Sequence, residues 1–273
     1  MEKTKKRKYG IKELIKDIVI VSISFGIFFL LLYAYTGIFP PMVIVESESM
    51  MHGDDSQIGV IDTGDITLVK KVDSKSDIVS YVEGKKNGYK TYGDYGDVII
   101  YYKNGKREYT PVIHRVIMWV EYNSTTGNGD IPDIKEYNKE TYTLHDFGYR
   151  KVNLTINLNS IFAKMSEKHG GFITKGDHNI GVDQESLSVG RGGKTVEPIL
   201  VKWVLGRAVG EVPWFGLIKL YASGMVDGHK APKTSVNSLM IAITIIIVIA
   251  IIQELVPRFM KKRKKNEGST NSS

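Results

Sequence analysis

Three short segments of this chain carry side chains that could perform nucleophilic chemistry together. The first is Val45-Glu46-Ser47-Glu48-Ser49-Met50 and the second is Pro111-Val112-Ile113-His114-Arg115-Val116. The third is Thr174-Lys175-Gly176-Asp177-His178-Asn179-Ile180-Gly181-Val182-Asp183. A serine hydroxyl is a weak nucleophile at neutral pH and needs a base, and a histidine base needs a group that fixes its tautomer and supports its positive form. Ser49, His114 and an aspartate of the third segment, Asp177 or Asp183, supply those three roles. Their separation in sequence is no obstacle, since folding assembles such constellations. Singly, each has a plainer reading: Ser49 as a loop serine, His114 as a hydrogen-bonded core histidine, and the aspartates as turn formers beside Gly176 and Gly181. The joint pattern favours chemistry. The chain has no cysteine, which removes disulfides, thiolate nucleophiles and Cys-based zinc sites together. Histidines at 52, 114, 145, 169, 178 and 229 fall into no H-E-x-x-H or other metal-binding spacing, so no cofactor or metal is expected.

The elements that must position these residues begin with two apolar stretches, 18–39 and 236–256. A helix of about 21 residues rises roughly 31 Å, enough to cross a hydrocarbon core. The formal charge of +7 is carried at the ends: residues 1–17 sum to +4 and residues 257–273 to +5, so residues 18–256 sum to −2. Basic clusters flanking membrane spans mark the cytoplasmic side. This places both termini inside and residues 40–235 outside. It makes the lipid bilayer the expected partner and excludes a nucleic acid. The first stretch is longer than the apolar region of a removable signal peptide and lacks a pair of small residues at its end, so it reads as a retained anchor.

Between the spans, short apolar runs separated by Gly, Asp and Asn predict strands: Ile66 to Val69, Val98 to Tyr102, Val112 to Val120, Tyr142 to Leu144, Val152 to Leu158, Phe172 to Thr174 and Ile199 to Val204. Gly64-Asp65 and Gly96-Asp97 each lead into such a run, turn chemistry in which Asp bonds nearby amides. Residues 121–168 are rich in Asn, Tyr, Thr, Lys and Glu and read as a polar insertion or subdomain. Asn123-Ser124-Thr125 and Asn153-Leu154-Thr155 are glycosylation sequons, and a third at Asn271 falls on the cytoplasmic tail. Val212-Pro213-Trp214-Phe215-Gly216-Leu217 is amphipathic, fitted either to the core or to the membrane interface.

In order along the chain, Ser-x-Ser-Met outside an anchor, Gly-Asp-Val-Ile, Ile-His-Arg-Val and Thr-Lys-Gly-Asp-x-Asn-x-x-x-Asp resemble type I signal peptidase. The histidine in Ile-His-Arg-Val matches the archaeal and endoplasmic-reticulum branch; the bacterial branch carries a lysine there. The resemblance covers residues 40–120 and 170–220. It implies Ser49 as nucleophile, His114 as general base and Asp183 as the acid completing the site, with Asp177 in support. It also implies that the Ser47 hydroxyl and the Ser49 backbone N–H stabilise the oxyanion. The implied fold is mainly β, an antiparallel barrel-like extracytoplasmic catalytic domain with one transmembrane helix at each end.

The chain departs from the family in three ways. His52 stands where proline is usual, Lys175 is a rival base of the bacterial kind, and the interval from His114 to Asp183 is long, which fits residues 121–168 being inserted. The implied activity is endoproteolytic removal of signal peptides at the outer membrane face. Its partners would be exported preproteins and the secretion machinery. A membrane-tethered processing protease for other surface proteins and a non-catalytic surface protein are the alternatives.

Overall fold

A computed structural model describes residues 10–190, 192–224 and 231–270, with side chains described as far as residue 257. The basic residues of 1–9, the side chains of the basic run 258–265, His229 and the sequon at Asn271 lie outside the described residues. In chain order the elements are α1 (Ile11–Thr36), β1 (Met42–Ile44), β2 (Ile66–Lys70), α2 (Tyr81–Asn87), β3 (Lys90–Thr91), β4 (Asp94–Tyr95), β5 (Val98–Tyr101), β6 (Val112–Tyr122), β7 (Gly129–Ile131), β8 (Glu136–Lys139), β9 (Thr141–Phe147), β10 (Val152–Asn157), α3 (Leu158–Lys164), β11 (Gly171–Lys175), α4 (Asp183–Ser186), β12 (Val204–Val212), α5 (Leu217–Ala222) and α6 (Ser235–Thr270).

Eight strands form one antiparallel sheet in the order β1-β2-β12-β5-β6-β7-β8, with β11 also paired to β6. The fold is mixed α/β with a mostly antiparallel sheet. The expected closure into a barrel is not seen. Among the described residues the sheet ends in the short strands β1 and β8, which pair only with β2 and β7, so the path of hydrogen bonds stays open. Both faces of β5 are packed, Ile99 and Tyr101 in one apolar cluster and Val98 and Ile100 in another, which explains its sequence. Every residue of β5 is buried, as is Val116 to Met118 of β6, and such central strands read as continuous apolar runs rather than alternating ones.

The Gly-Asp pairs do more than open strands. Gly64 and Gly96 sit at φ +96° and +77°, a region that favours glycine because it lacks a Cβ. At Gly96 an added Cβ would fall 2.6 Å from the Tyr81 amide nitrogen. The aspartates reach beyond their own turns. Asp97 accepts from the Val79 amide at 2.8 Å, and Asp65 accepts from the amides of Asp62 and Trp214, both at 2.8 Å. This last bond, with Trp214 Nε1 donating to Ser56 Oγ at 2.6 Å, turns Trp214 onto the protein. The expected run at Ile199 to Val204 is a short helical turn, Val201–Trp203, that leads into β12.

Residues 121–168, polar in composition, build part of the core. The β9–β10 hairpin and α3 contribute Leu144, Phe147, Leu154, Ile156, Leu158, Ile161 and Phe162 to a core shared with Tyr81, Ile117 and Val120. In β10 the buried residues alternate with exposed ones, so a few aliphatics at period two suffice to build a packed face.

Among the described residues two helices are long and apolar enough to span a membrane, Ile11–Thr36 and Ser235–Pro257. None of the apolar window of the first is buried within the protein and 6% of the second is. The first helix ends at Thr36, ahead of the expected boundary at 39, because Gly37 adopts the left-handed C-cap with its N–H bonded to the Tyr33 carbonyl at 2.8 Å. It is then tied to the sheet. Lys71 N donates to the Thr36 carbonyl and Val69 N to the Pro41 carbonyl, each at 2.8 Å.

Candidate active site

Ser49 sits on an arch held at both feet. Val45 and Met50 are buried in a cluster with Ile61, Val69, Val98 and Ile100, while Ser47 is exposed and Ser49 half-buried between them. The arch is stitched to the chain by backbone bonds from Val45 N to the Asp65 carbonyl and from Gly64 N to the Val45 carbonyl, both 2.9 Å. Its far side rests on the third segment, where His178 N donates to the Ser49 carbonyl at 2.9 Å. The Ser49 and Ser47 hydroxyls are 3.2 Å apart.

His114 lies on β6 opposite Ile99 of β5 and is buried. Its Nδ1 donates to Asp183 Oδ2 at 2.7 Å, which assigns the proton to Nδ1 and leaves Nε2 with a free lone pair. Gly176 marks where Nε2 points. A Cβ added there would lie 2.8 Å from His114 Nε2 and 2.6 Å from the Ser49 carbonyl oxygen. Serine arch and imidazole therefore meet at a position only glycine can fill. Ser49 Oγ is bonded to Ser47 Oγ and not to the imidazole, and unliganded sites often hold such hydrogen bonds long until substrate closes them.

Three strands aim at the Asp183 carboxylate. Tyr101 of β5 and Thr174 of β11 donate their hydroxyls to the same Oδ2 that accepts from His114 of β6, each at 2.7 Å. A register shift between Ile173 and Thr174 is the kind of bulge that re-aims a side chain. Burial first, and then the adjacent Asp183 charge, push the Tyr101 phenol well above its ordinary pKa, so it stays a donor. Asp183 Oδ1 is buried without a hydrogen-bond partner. All three donors thus converge on one oxygen, Oδ2.

Asp177 belongs to a different network. Its two oxygens take a bidentate grip from Arg115, Nε to Oδ1 at 2.8 Å and Nη2 to Oδ2 at 2.7 Å. Arg115 also donates to the backbone carbonyls of Thr91, Tyr92, Tyr95 and Gly96. His52 Nε2 donates to Asp177 Oδ2 at 2.8 Å. Burial raises the Asp177 carboxyl, but Arg115 and His52 outweigh it and bring it down to about 2. Of the two aspartates, Asp183 contacts the candidate base and Asp177 fixes the turn that supports the arch. Lys175 is buried, which lowers its pKa. Its Nζ donates to the carbonyls of Gly176 and Asp177 at 3.0 and 3.4 Å and lies 5.3 Å from the centre of the Phe147 ring.

Ser47, Ser49 and His114 line one cleft of about 670 Å³, walled by Met42 to Val45 on one side and Thr110 to Ile113 on the other. Sequence reasoning named Ser47, Ser49, His114, Asp177 and Asp183, and the fold brings all five to this region. It missed Tyr101, Thr174 and the anchoring role of Arg115. The only signal for Arg115 was its place beside His114 as a polar pair inside an apolar run. Among the described residues no three His, Asp or Glu side chains converge in a way that would hold a metal ion. No protein-family model matches the chain, and no curated protein matches it.

Proposed function

We propose that this chain is a membrane-anchored serine endopeptidase that removes signal peptides from exported preproteins at the outer membrane face. One observation carries the reading. Ser49 opens into the cleft beside an imidazole whose Nδ1 is held by Asp183 at 2.7 Å. In that arrangement His114 Nε2 takes the proton as Ser49 Oγ attacks the scissile carbonyl, and the new imidazolium is supported by a carboxylate that cannot rotate away. The proton then passes to the leaving amine, and a water activated by the same imidazole releases the acyl group. The Ser47 hydroxyl, next to the Ser49 oxygen, and the Ser49 N–H are the donors for the oxyanion. An extended peptide fits the cleft between β1, an edge strand, and the segment leading into β6.

Both apolar helices are read as spans, with basic termini in the cytoplasm and the catalytic domain outside. A preprotein's apolar segment lies in the bilayer, so its cleavage point emerges near the interface. α1 ends at Thr36 and is bonded to β2, which keeps Ser49 near that depth. The bonding of Lys175 Nζ to backbone carbonyls argues against it as the base.

The test is cleavage of a model preprotein by the wild type and by Ser49→Ala, His114→Ala, Asp183→Asn and Lys175→Ala. The reading requires loss with the first two, a large reduction with Asp183→Asn, and retention with Lys175→Ala. Undiminished cleavage by Ser49→Ala would overturn it. An inactive Lys175→Ala beside an active His114→Ala would reassign the base.

A further inference from the structure

The tip of the β9–β10 hairpin, Gly148 to Lys151, reaches the back of the Ser49 arch. Tyr149 stacks on His52 with ring centroids 4.2 Å apart and planes 11° from parallel. Arg150 Nη2 donates to His178 Nδ1 at 3.2 Å and Arg150 Nη1 to the His178 carbonyl at 3.3 Å. The Tyr149 hydroxyl faces the same Nδ1 at 3.5 Å. Both histidines lie against the arch, His178 with its Nδ1 3.3 Å from the Met51 carbonyl. His52 follows the Ser49-Met50-Met51 turn and is bonded to Asp177, and the His178 amide holds the Ser49 carbonyl.

The hairpin is itself rigidly mounted. Phe147 packs on Tyr81 at 4.4 Å, and the Gly148 amide donates to the Tyr81 hydroxyl at 3.1 Å. Room for His52 is also reserved. Gly93 sits at φ +81°, and a Cβ there would fall 2.9 Å from His52 Cε1.

We propose that this hairpin positions the nucleophile, with Tyr149 and Arg150 clamping His52 and His178 so that the Ser49 arch stays against the Gly176–His178 turn. The inference rests on Ser49 being the nucleophile. Tyr149, Arg150 and His52 are positioning residues that touch no substrate. The bulk of the hairpin lies away from the cleft, so losing the clamp loosens the reacting geometry without altering the peptide-binding walls.

The experiment measures kcat and KM for a model preprotein with the full chain in detergent, comparing wild type, Tyr149→Ala, Tyr149→Phe, His52→Ala and Arg150→Gln. Ser49→Ala controls the functional reading, and Tyr137→Ala, an exposed residue of β8, controls the segment's folding. Tyr149→Ala and His52→Ala are expected to lower kcat about tenfold or more, since misplacements near 1 Å cost that order of rate, with KM unchanged. Tyr149→Phe, which keeps the stack, is expected to restore most of the wild-type kcat. Wild-type kcat in both Tyr149→Ala and His52→Ala overturns the proposal, as does a change confined to KM. Undiminished cleavage by Ser49→Ala would instead overturn the functional reading, so the two failures are distinct. If Tyr149→Ala does not fold, His52→Ala and Arg150→Gln still decide: a lowered kcat with unchanged KM in both supports the clamp, and wild-type kcat in both rejects it.

Discussion

Replacing Asp177 by Asn removes the carboxylate that grips a fully buried guanidinium through two hydrogen bonds. Arg115 is 0% exposed, and its remaining partners are backbone carbonyls with partial charge. Removing one partner of a buried ion pair costs about 3–5 kcal/mol, because the other charge is left uncompensated. The pH dependence gives a second, independent number. The carboxyl is brought down to about 2 in the folded protein, against roughly 3.9 in an unfolded chain, and each unit is worth about 1.4 kcal/mol. A depressed folded pKa contributes stability that is present above the unfolded value and is lost as pH falls through the folded value. For Asp177 that is about 2–3 kcal/mol, present above pH ~5 and fading toward pH 2.

The assay is chemical unfolding of the full chain in a fixed detergent, wild type against Asp177→Asn, from pH 7 down to pH 2.5. Other carboxylates titrate in both proteins and cancel in the difference. The expected gap is about 3–5 kcal/mol at pH 7, narrowing by about 2 kcal/mol at the acid end. A gap under about 1 kcal/mol, or one that does not change with pH, would refute the buried-pair reasoning.

Further outcomes follow from the same geometry. Tyr101→Phe removes one of three donors to Asp183 Oδ2; it should cost about 1 kcal/mol in denaturant unfolding and lower kcat while leaving KM alone. Gly176→Ala puts a Cβ within 2.6 Å of the Ser49 carbonyl and 2.8 Å of His114 Nε2, and steady-state cleavage should fall about a hundredfold with secondary structure intact by circular dichroism. Gly96→Ala forces a Cβ against the Ser80–Tyr81 backbone at a positive φ, so a thermal melt should show a loss above about 1 kcal/mol.

Much of the candidate site was legible because its chemistry is carried by residue types at recognisable places. A serine soon after a long apolar stretch, a His-Arg pair interrupting an apolar run and a Gly-Asp-rich segment each stand out from their surroundings. What could not be read was convergence. Tyr101 ends an ordinary apolar strand, and Thr174 looks like any β-branched strand residue; only the pairing of β5 and β11 with β6 brings both hydroxyls onto Asp183. The division between the two aspartates was hidden for the same reason, since both sit beside glycines in one segment, yet Asp183 turns to His114 and Asp177 to Arg115, both of them buried. Residues 121–168 seemed polar because composition averages over both faces of a hairpin, while folding sorts Leu154 and Ile156 inward and their neighbours outward. The strands were expected from local patterns, but whether the sheet closes depends on edges such as β1 and β8, about which local periodicity is silent.

Purified wild type and Ser49→Ala, reconstituted into lipid vesicles with a model preprotein, should be compared by mass spectrometry of the products. Wild type is predicted to release one mature fragment, cut at a single point just beyond the preprotein's apolar segment, and Ser49→Ala to release none. The same fragment formed at an equal rate by Ser49→Ala would contradict the assignment of Ser49 as the nucleophile.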